Sequence, residues 1–260
     1  MEFTHKPVLL AECIEALHIR PEGIYVDGTL GRAGHSREIA RRLTTGRLIC
    51  VDRDQAAIDA AQERLAPWMD HVTLVHSNFD RISDILDELG LSGVDGMLFD
   101  LGVSSPQLDD ASRGFSYMHD APLDMRMDAS APLTAYEVVN TWSYEELRRI
   151  LFEYGEERYA PAIAKKIVQA RETAPVQTTL ELAELIRSAM PAAALREKQH
   201  PAKRSFQAIR IAVNGELDAL PPMLSGAIDH LNPAGRLAVI TFHSLEDRNV
   251  KRAFQDAAKG

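Results

Sequence analysis

The sequence predicts an α/β protein, a doubly wound and mostly parallel sheet with an inserted helical domain. Three observations predict it. Short β-rich runs alternate with helical patterns from residue 24 to residue 101, the alternation then stops, and strand character returns only at GRLAVITF, residues 235–242. Strand-helix-strand alternation at this spacing implies parallel strands covered by helices on both faces. A chain of 260 residues is long enough to bury such a core and still carry an insertion.

Taken in order, IYVDGT (24–29), RLICVD (47–52), VTLVHS (72–77) and GMLFDL (96–101) read as strands. Helical patterns separate them at 35–43, 54–65 and 79–89. After Leu101 comes the polar, Pro/Gly-punctuated stretch GVSSPQLDDASRGFSYMHDAPLDMRMDASAPL, then helical patterns at 134–152, 156–172 and 178–189. A further helical pattern, FQAIRIAVNGELDALPPMLSGAIDHL, leads into the returning strand, and SLEDRNVKRAFQDAA ends the chain as a helix. The domain reading is therefore 1–105 with 201–260 for the sheet, and 106–200 for the insertion.

Composition narrows the function. Hydrophobic residues make up 45% and charged residues 26%, which is globular rather than disordered. No apolar run reaches the roughly 18 residues of a membrane span, and the amino terminus is too interrupted by charge for a signal peptide, so a cytoplasmic protein is expected. Cys13 and Cys50 have no metal-ligand spacing and read as core, and no metal is expected. A net charge of −9 opposes generic nucleic-acid binding, so such a partner would need a local basic patch. The charge cluster REKQHPAKRSFQAIR (196–210) is the place for one.

In an open parallel sheet, ligands bind beyond the carboxyl ends of the strands. DGTLGRAGHS, residues 27–36, follows the first strand with glycines at 28, 31 and 34. Its G-x-x-G-x-x-G spacing differs from the G-x-G-x-x-G of a dinucleotide fold and disfavours a nicotinamide oxidoreductase. Asp52 ends the second strand about 20 residues on, where an acid accepts both hydroxyls of a ribose. That position serves dehydrogenases and S-adenosylmethionine (SAM) methyltransferases alike, and Asp54 is free to cap the following helix. Asn78 and Phe79 stand where an adenine would lie, Phe79 as a stacking ring or as core. Asp100, Ser104, Ser105 and Gln107 close the fourth strand near the reactive end of such a ligand.

The stretches DGTLGRAGHS, VDRD, LFDLGVSSPQLDDASRGFSYMHDAPLDMRMD, YGEERYAPAIAKKIV, HPAKRSFQAIRIAVNGEL and ITFHSLEDRNVKR together resemble the MraW/RsmH family, collinearly from His5 to about Arg252. The resemblance implies a SAM-dependent methyltransferase with a Rossmann-like class I fold. It implies methylation of the exocyclic 4-amino group of a cytidine in the decoding region of bacterial 16S ribosomal RNA, with the small ribosomal subunit as partner, and a dimer. Carried over by position, it implies that Ala33, Gly34, His35, Asp52, Phe79, Asp100 and Gln107 contact SAM. The family often has Gly where this chain has Ala33, and a positive φ there would disfavour Ala. Its members also usually continue further, adding an edge strand to the sheet.

The chemistry such an enzyme needs is limited. A cytosine amine is a poor nucleophile because its lone pair is delocalised, so an acceptor for an amine proton helps. Asp100, Ser104, Ser105 and backbone carbonyls of the LGVSS turn are candidates. Ring-carbon methylation would require a cysteine nucleophile, and neither cysteine lies in a plausible loop. Phe115 and Tyr117 could stack on a splayed base or anchor the insertion's core, and Arg113, Arg126, Lys203 and Arg204 could bind phosphates. His243 in FHSLED reads as structural, with Ser244 and Asp247 in cap spacing. The rival outside enzymes is an RNA-binding assembly factor that retains the fold.

Overall fold

The computed structural model describes residues 7–259. The chain divides into two units, one holding the chain up to Ser104 and again from Leu217, the other running Ser105–Glu216. The first unit carries α1 (Leu10–Leu17), β1 (Ile24–Asp27), α2 (Gly34–Ala40), β2 (Arg47–Asp52), α3 (Gln55–Arg64), β3 (Val72–His76), α4 (Ile82–Glu88) and β4 (Val94–Asp100). The second carries α5 (Ser105–Asp109), α6 (Ala135–Thr141), α7 (Tyr144–Glu153), α8 (Ala160–Thr173), α9 (Thr179–Ser188) and α10 (Lys203–Asn214). The chain then returns with α11 (Leu220–Asp229), β5 (Leu231–Ile240) and α12 (Ser244–Ala257).

The five strands pair in the order β3-β2-β1-β4-β5, all parallel. Strand order reverses between β1 and β4, so this is the predicted doubly wound sheet with its switch point at the ends of those two strands. Side chains alternate across it, as a pleated strand requires. Tyr25, Leu48, Cys50 and Leu98 pack with Ile39 of α2 and Ile58 and Ala61 of α3. Val26, Ile49, Val51, Met97 and Phe99 pack on the other face with Ile82, Ile85 and Leu86 of α4 and Leu220, Met223 and Leu224 of α11. Both cysteines are buried, and burial pushes the Cys13 thiol up to about 11, which makes it inert.

The second unit is helical, with α7 against α8, α8 against α9, and α10 against α6 and α7. Here the sequence reading is corrected at its far boundary. The sequence placed residues from 201 with the sheet, yet α10 packs into the insertion. Asn214 explains why: its amide Nδ2 donates to the Met125 carbonyl at 2.8 Å and its Oδ1 accepts the Met127 amide at 2.8 Å. The single helical pattern read through NGEL is in fact two helices, because Gly215 adopts φ +59 at the end of α10.

Candidate functional site

The glycine loop follows β1 and is held from three sides. Asp27 is buried, its Oδ1 accepting the Thr29 amide at 3.1 Å and its Oδ2 the Ser36 hydroxyl at 2.6 Å. The Gly28 amide donates to the Leu98 carbonyl of β4, and a Cβ on Gly28 would fall 2.1 Å from the Phe99 ring. Gly31 turns with φ +49 and donates its amide to Asp52 Oδ2 at 2.8 Å. Only a residue without Cβ makes the first contact, and only a left-handed turn presents the second. Ala33 is also left-handed, φ +61, and buried, immediately before Gly34 opens α2. His35 is buried with Nε2 at 3.0 Å from the Val8 carbonyl.

Asp52 ends β2 with its other oxygen, Oδ1, accepting the Asp54 amide at 2.8 Å. Asp54 in turn caps α3 by accepting the Ala56 amide, the role that leaves Asp52 available for a ligand. Burial raises the Asp52 carboxyl to about 6 against the help of those two amides. Asp100 ends β4, its amide donating to Thr29 Oγ1 at 2.6 Å. Its Oδ1 is buried and has no hydrogen-bond partner among the described residues. Burial raises this carboxyl also to about 6, with His35 opposing and Asp27 and Glu246 adding to the rise. An unpaired buried carboxylate oxygen is costly, and a donor or cation brought by a ligand would relieve it.

The remaining sheet-unit candidates gather at the same carboxyl edge. Asn78 caps the 3₁₀ turn Phe79–Arg81 by accepting the Phe79 amide, and the half-buried Phe79 ring packs edge-on against Phe99 at 5.9 Å. Ser104 lies against Gly31, since a Cβ on that glycine would be 3.7 Å from the Ser104 Cβ. FHSLED begins α12, but the cap is one residue earlier than the Ser244 to Asp247 spacing implied. His243 Nδ1 accepts the Glu246 amide at 3.4 Å, so an imidazole caps the helix in place of a hydroxyl. Its Nε2 stands 3.2 Å from Glu246 Oε1 without hydrogen-bond geometry.

The other candidates lie in the second unit. Ser105 opens α5 and Gln107 is buried on it. Arg113 donates to the carbonyls of Arg126 and Met127 at 2.9 and 3.0 Å. Arg126 forms a two-point ion pair with Asp124 and donates to the Ala131 carbonyl. These arginines order the long polar loop from within through carbonyls and a carboxylate. Phe115 is buried beside the Arg113 guanidinium, in keeping with the core-anchor alternative of the sequence reading. Tyr117 stacks on His200 at 4.4 Å and meets Phe206 edge-on at 5.5 Å, an internal aromatic cluster. Lys203 is exposed at the start of α10, and Arg204 beside it reaches the Glu156 carbonyl at 3.4 Å. Arg210 of the same charge cluster is paired with Glu216.

Sequence reasoning passed over Asp27, which holds the loop through Thr29 and Ser36, and Thr29, which ties it to β4. Their signal was visible: an acid ending an apolar strand, two residues before a hydroxyl, is the pattern of a side chain accepting a backbone amide.

Residues 2–260 match the profile of the MraW methylase family. Ribosomal RNA small subunit methyltransferase H of Brevibacillus brevis is 60% identical over 261 residues, covering all of this chain and 83% of that relative. The protein of that name from Symbiobacterium thermophilum is 58% identical over 260 residues, covering all of this chain and 82% of its own. One from Paenibacillus sp. is 59% identical, covering 97% of this chain and 82% of its own. A match of this length and identity, on a sheet whose strand-end acids and glycine loop stand together, places the chain in the MraW methylase family.

Proposed function

We propose that this chain is a SAM-dependent methyltransferase that modifies the exocyclic N4 amine of a cytidine in the decoding region of 16S ribosomal RNA, within the small ribosomal subunit. The observation that carries the reading is the buried, unpartnered Oδ1 of Asp100 at the switch point, beside a glycine loop anchored on Asp52. The relatives' name supports the ribosomal RNA of the small subunit as substrate.

The residues present fit the cofactor. Asp52 keeps lone pairs for ribose hydroxyls after accepting the Gly31 and Asp54 amides, and the half-buried Phe79 ring in the turn after β3 supports an adenine-stacking role. SAM supplies an electrophilic methyl on a sulfonium. The chain's own work is then to place the amine in line and to take up its proton, and positioning accounts for much of the rate. Asp100 either accepts that proton's hydrogen bond or holds the cofactor's ammonium group, and Ser104 stands close by to assist. With SAM bound, the loop would hold the amine in line with the methyl group, and Asp100 or a neighbouring acceptor on this loop would take up the amine proton.

Incubation with labelled SAM and undermethylated small subunits, followed by mapping of the modified base, tests the reading directly. Label on a cytidine amine is expected, and no label in the RNA would overturn it. Calorimetry with SAM and NAD in parallel separates the rivals, because an assembly factor ignores both and an oxidoreductase takes NAD. Asp100→Ala assigns the residue: loss of turnover at unchanged SAM affinity marks a proton acceptor, and parallel loss of both marks a cofactor ligand.

A further inference from the structure

We infer that Phe242 is the platform on which the target base stacks, a role that rests on the reading of this protein as an RNA base methyltransferase. β4 and β5 run parallel with Asp100 opposite Ile240, and the Leu101 amide donates to the Ile240 carbonyl at 3.1 Å. Phe242 therefore leaves the sheet two residues past the strand partner of Asp100, on the carboxyl edge where the unpaired Asp100 oxygen lies. Its side chain is 57% exposed, the most exposed large hydrophobic of the sheet unit among the described residues.

Exposure alone would mean little, since single exposed apolar residues are common. What sets Phe242 apart is that its backbone is held. Its amide donates at 2.8 Å to Oε2 of Glu246, a carboxylate only 2% exposed in the first turn of α12. A buried acid thus fixes the main chain of a ring left in solvent, which is the arrangement of a preorganised contact rather than a stray side chain. The other aromatic rings near this edge are taken: Phe99 is buried, and Phe79 packs against it. Phe115 and Tyr117, the rings the sequence offered for stacking, have internal partners in the other unit.

A flipped pyrimidine needs a flat apolar face beside the reacting amine, and stacking of one base on one aromatic ring is worth roughly 1–3 kcal/mol. Replacing Phe242 with Ala is therefore expected to lower kcat/KM for small subunits about 10- to 100-fold while leaving the SAM dissociation constant unchanged. Phe242→Trp should restore most of the loss, and Phe242→Leu, apolar but not planar, should not. Full activity of Phe242→Ala or of Phe242→Leu would overturn the platform, as would a matching loss of SAM affinity.

A second measurement does not depend on turnover. Ultraviolet irradiation couples stacked aromatic rings to pyrimidines, so the protein bound to small subunits should give a nucleotide adduct on the peptide carrying Phe242. Adducts found only elsewhere would overturn the inference. If the wild-type protein methylates small subunits yet no adduct forms at Phe242, the platform fails and the enzyme reading stands; if it transfers no methyl group, the enzyme reading fails and the platform for a target base fails with it.

Discussion

Ala33 is the residue at which local strain and packing compete. A left-handed alanine costs on the order of 1–2 kcal/mol. Its methyl is 1% exposed, and burying one carbon gives back about 0.8 kcal/mol while avoiding the chain-entropy cost of glycine. The terms nearly cancel, so Ala33→Gly should leave the urea midpoint within about 0.5 kcal/mol of the parent. Ala33→Val, β-branched in the same conformation, should cost about 2 kcal/mol or more. A large gain from glycine would mean that the methyl packs poorly. At this scale much was legible: the acids at the strand ends and the cap at Asp54 stand where the sequence put them. The aromatics were not, because local sequence shows that a ring is present and not which surface covers it. Phe115 went inside, and Phe242, hidden in a run read for its histidine, stayed outside.

Helices carry their start signals in short spacings, and the second unit shows how far these reach. Thr134, Ser143 and Thr178 each form a reciprocal capping box with the glutamate three residues on. Ser143 divides what periodicity alone read as one helix over 134–152, because the apolar spacing runs through Trp142 while the backbone there is extended. The S-x-x-E spacing at 143 to 146 was the available sign. Thr178→Ala should lower stability by about 1 kcal/mol, read as a shifted denaturation midpoint with an unchanged slope. An unchanged midpoint would show that packing of Leu182 and Ile186 alone holds α9. The far boundary of the insertion was not legible for a different reason. α10 has a strong apolar face, and periodicity gives no partner for a face; only Asn214 reaching Met125 and Met127 settles it.

Across the whole molecule, a net charge of −9 coexists with acids buried at one edge of the sheet. Asp27, Asp52 and Asp100 all have carboxyls raised above their ordinary value, chiefly by burial. The native state then binds their protons more tightly than the unfolded chain does, so stability falls as pH rises through the window from the ordinary carboxyl value to about 6. Between pH 5 and pH 7 the loss should be about 1 kcal/mol for each of Asp52 and Asp100, allowing for partial solvent screening. The Asp52→Asn, Asp100→Asn double variant should lose correspondingly less over the same range in urea titrations. Equal losses in the two proteins would show that these acids are not the source. A cationic cofactor favours the ionised forms, so SAM should bind more tightly at pH 7 than at pH 5.

The hydroxyl of Thr29 has one more consequence, for the order in which the molecule forms. It accepts the Asp100 amide across 71 residues of sequence, while Gly31 reaches Asp52 across 21. Closing the longer loop costs more entropy, and contacts of such separation form late. The half of the loop that faces β2 can be in place early; the half that faces β4 waits for the fourth strand to enter beside the first. A ligand that needs both halves binds only the completed sheet, and its binding energy is then added wholly to the finished native state.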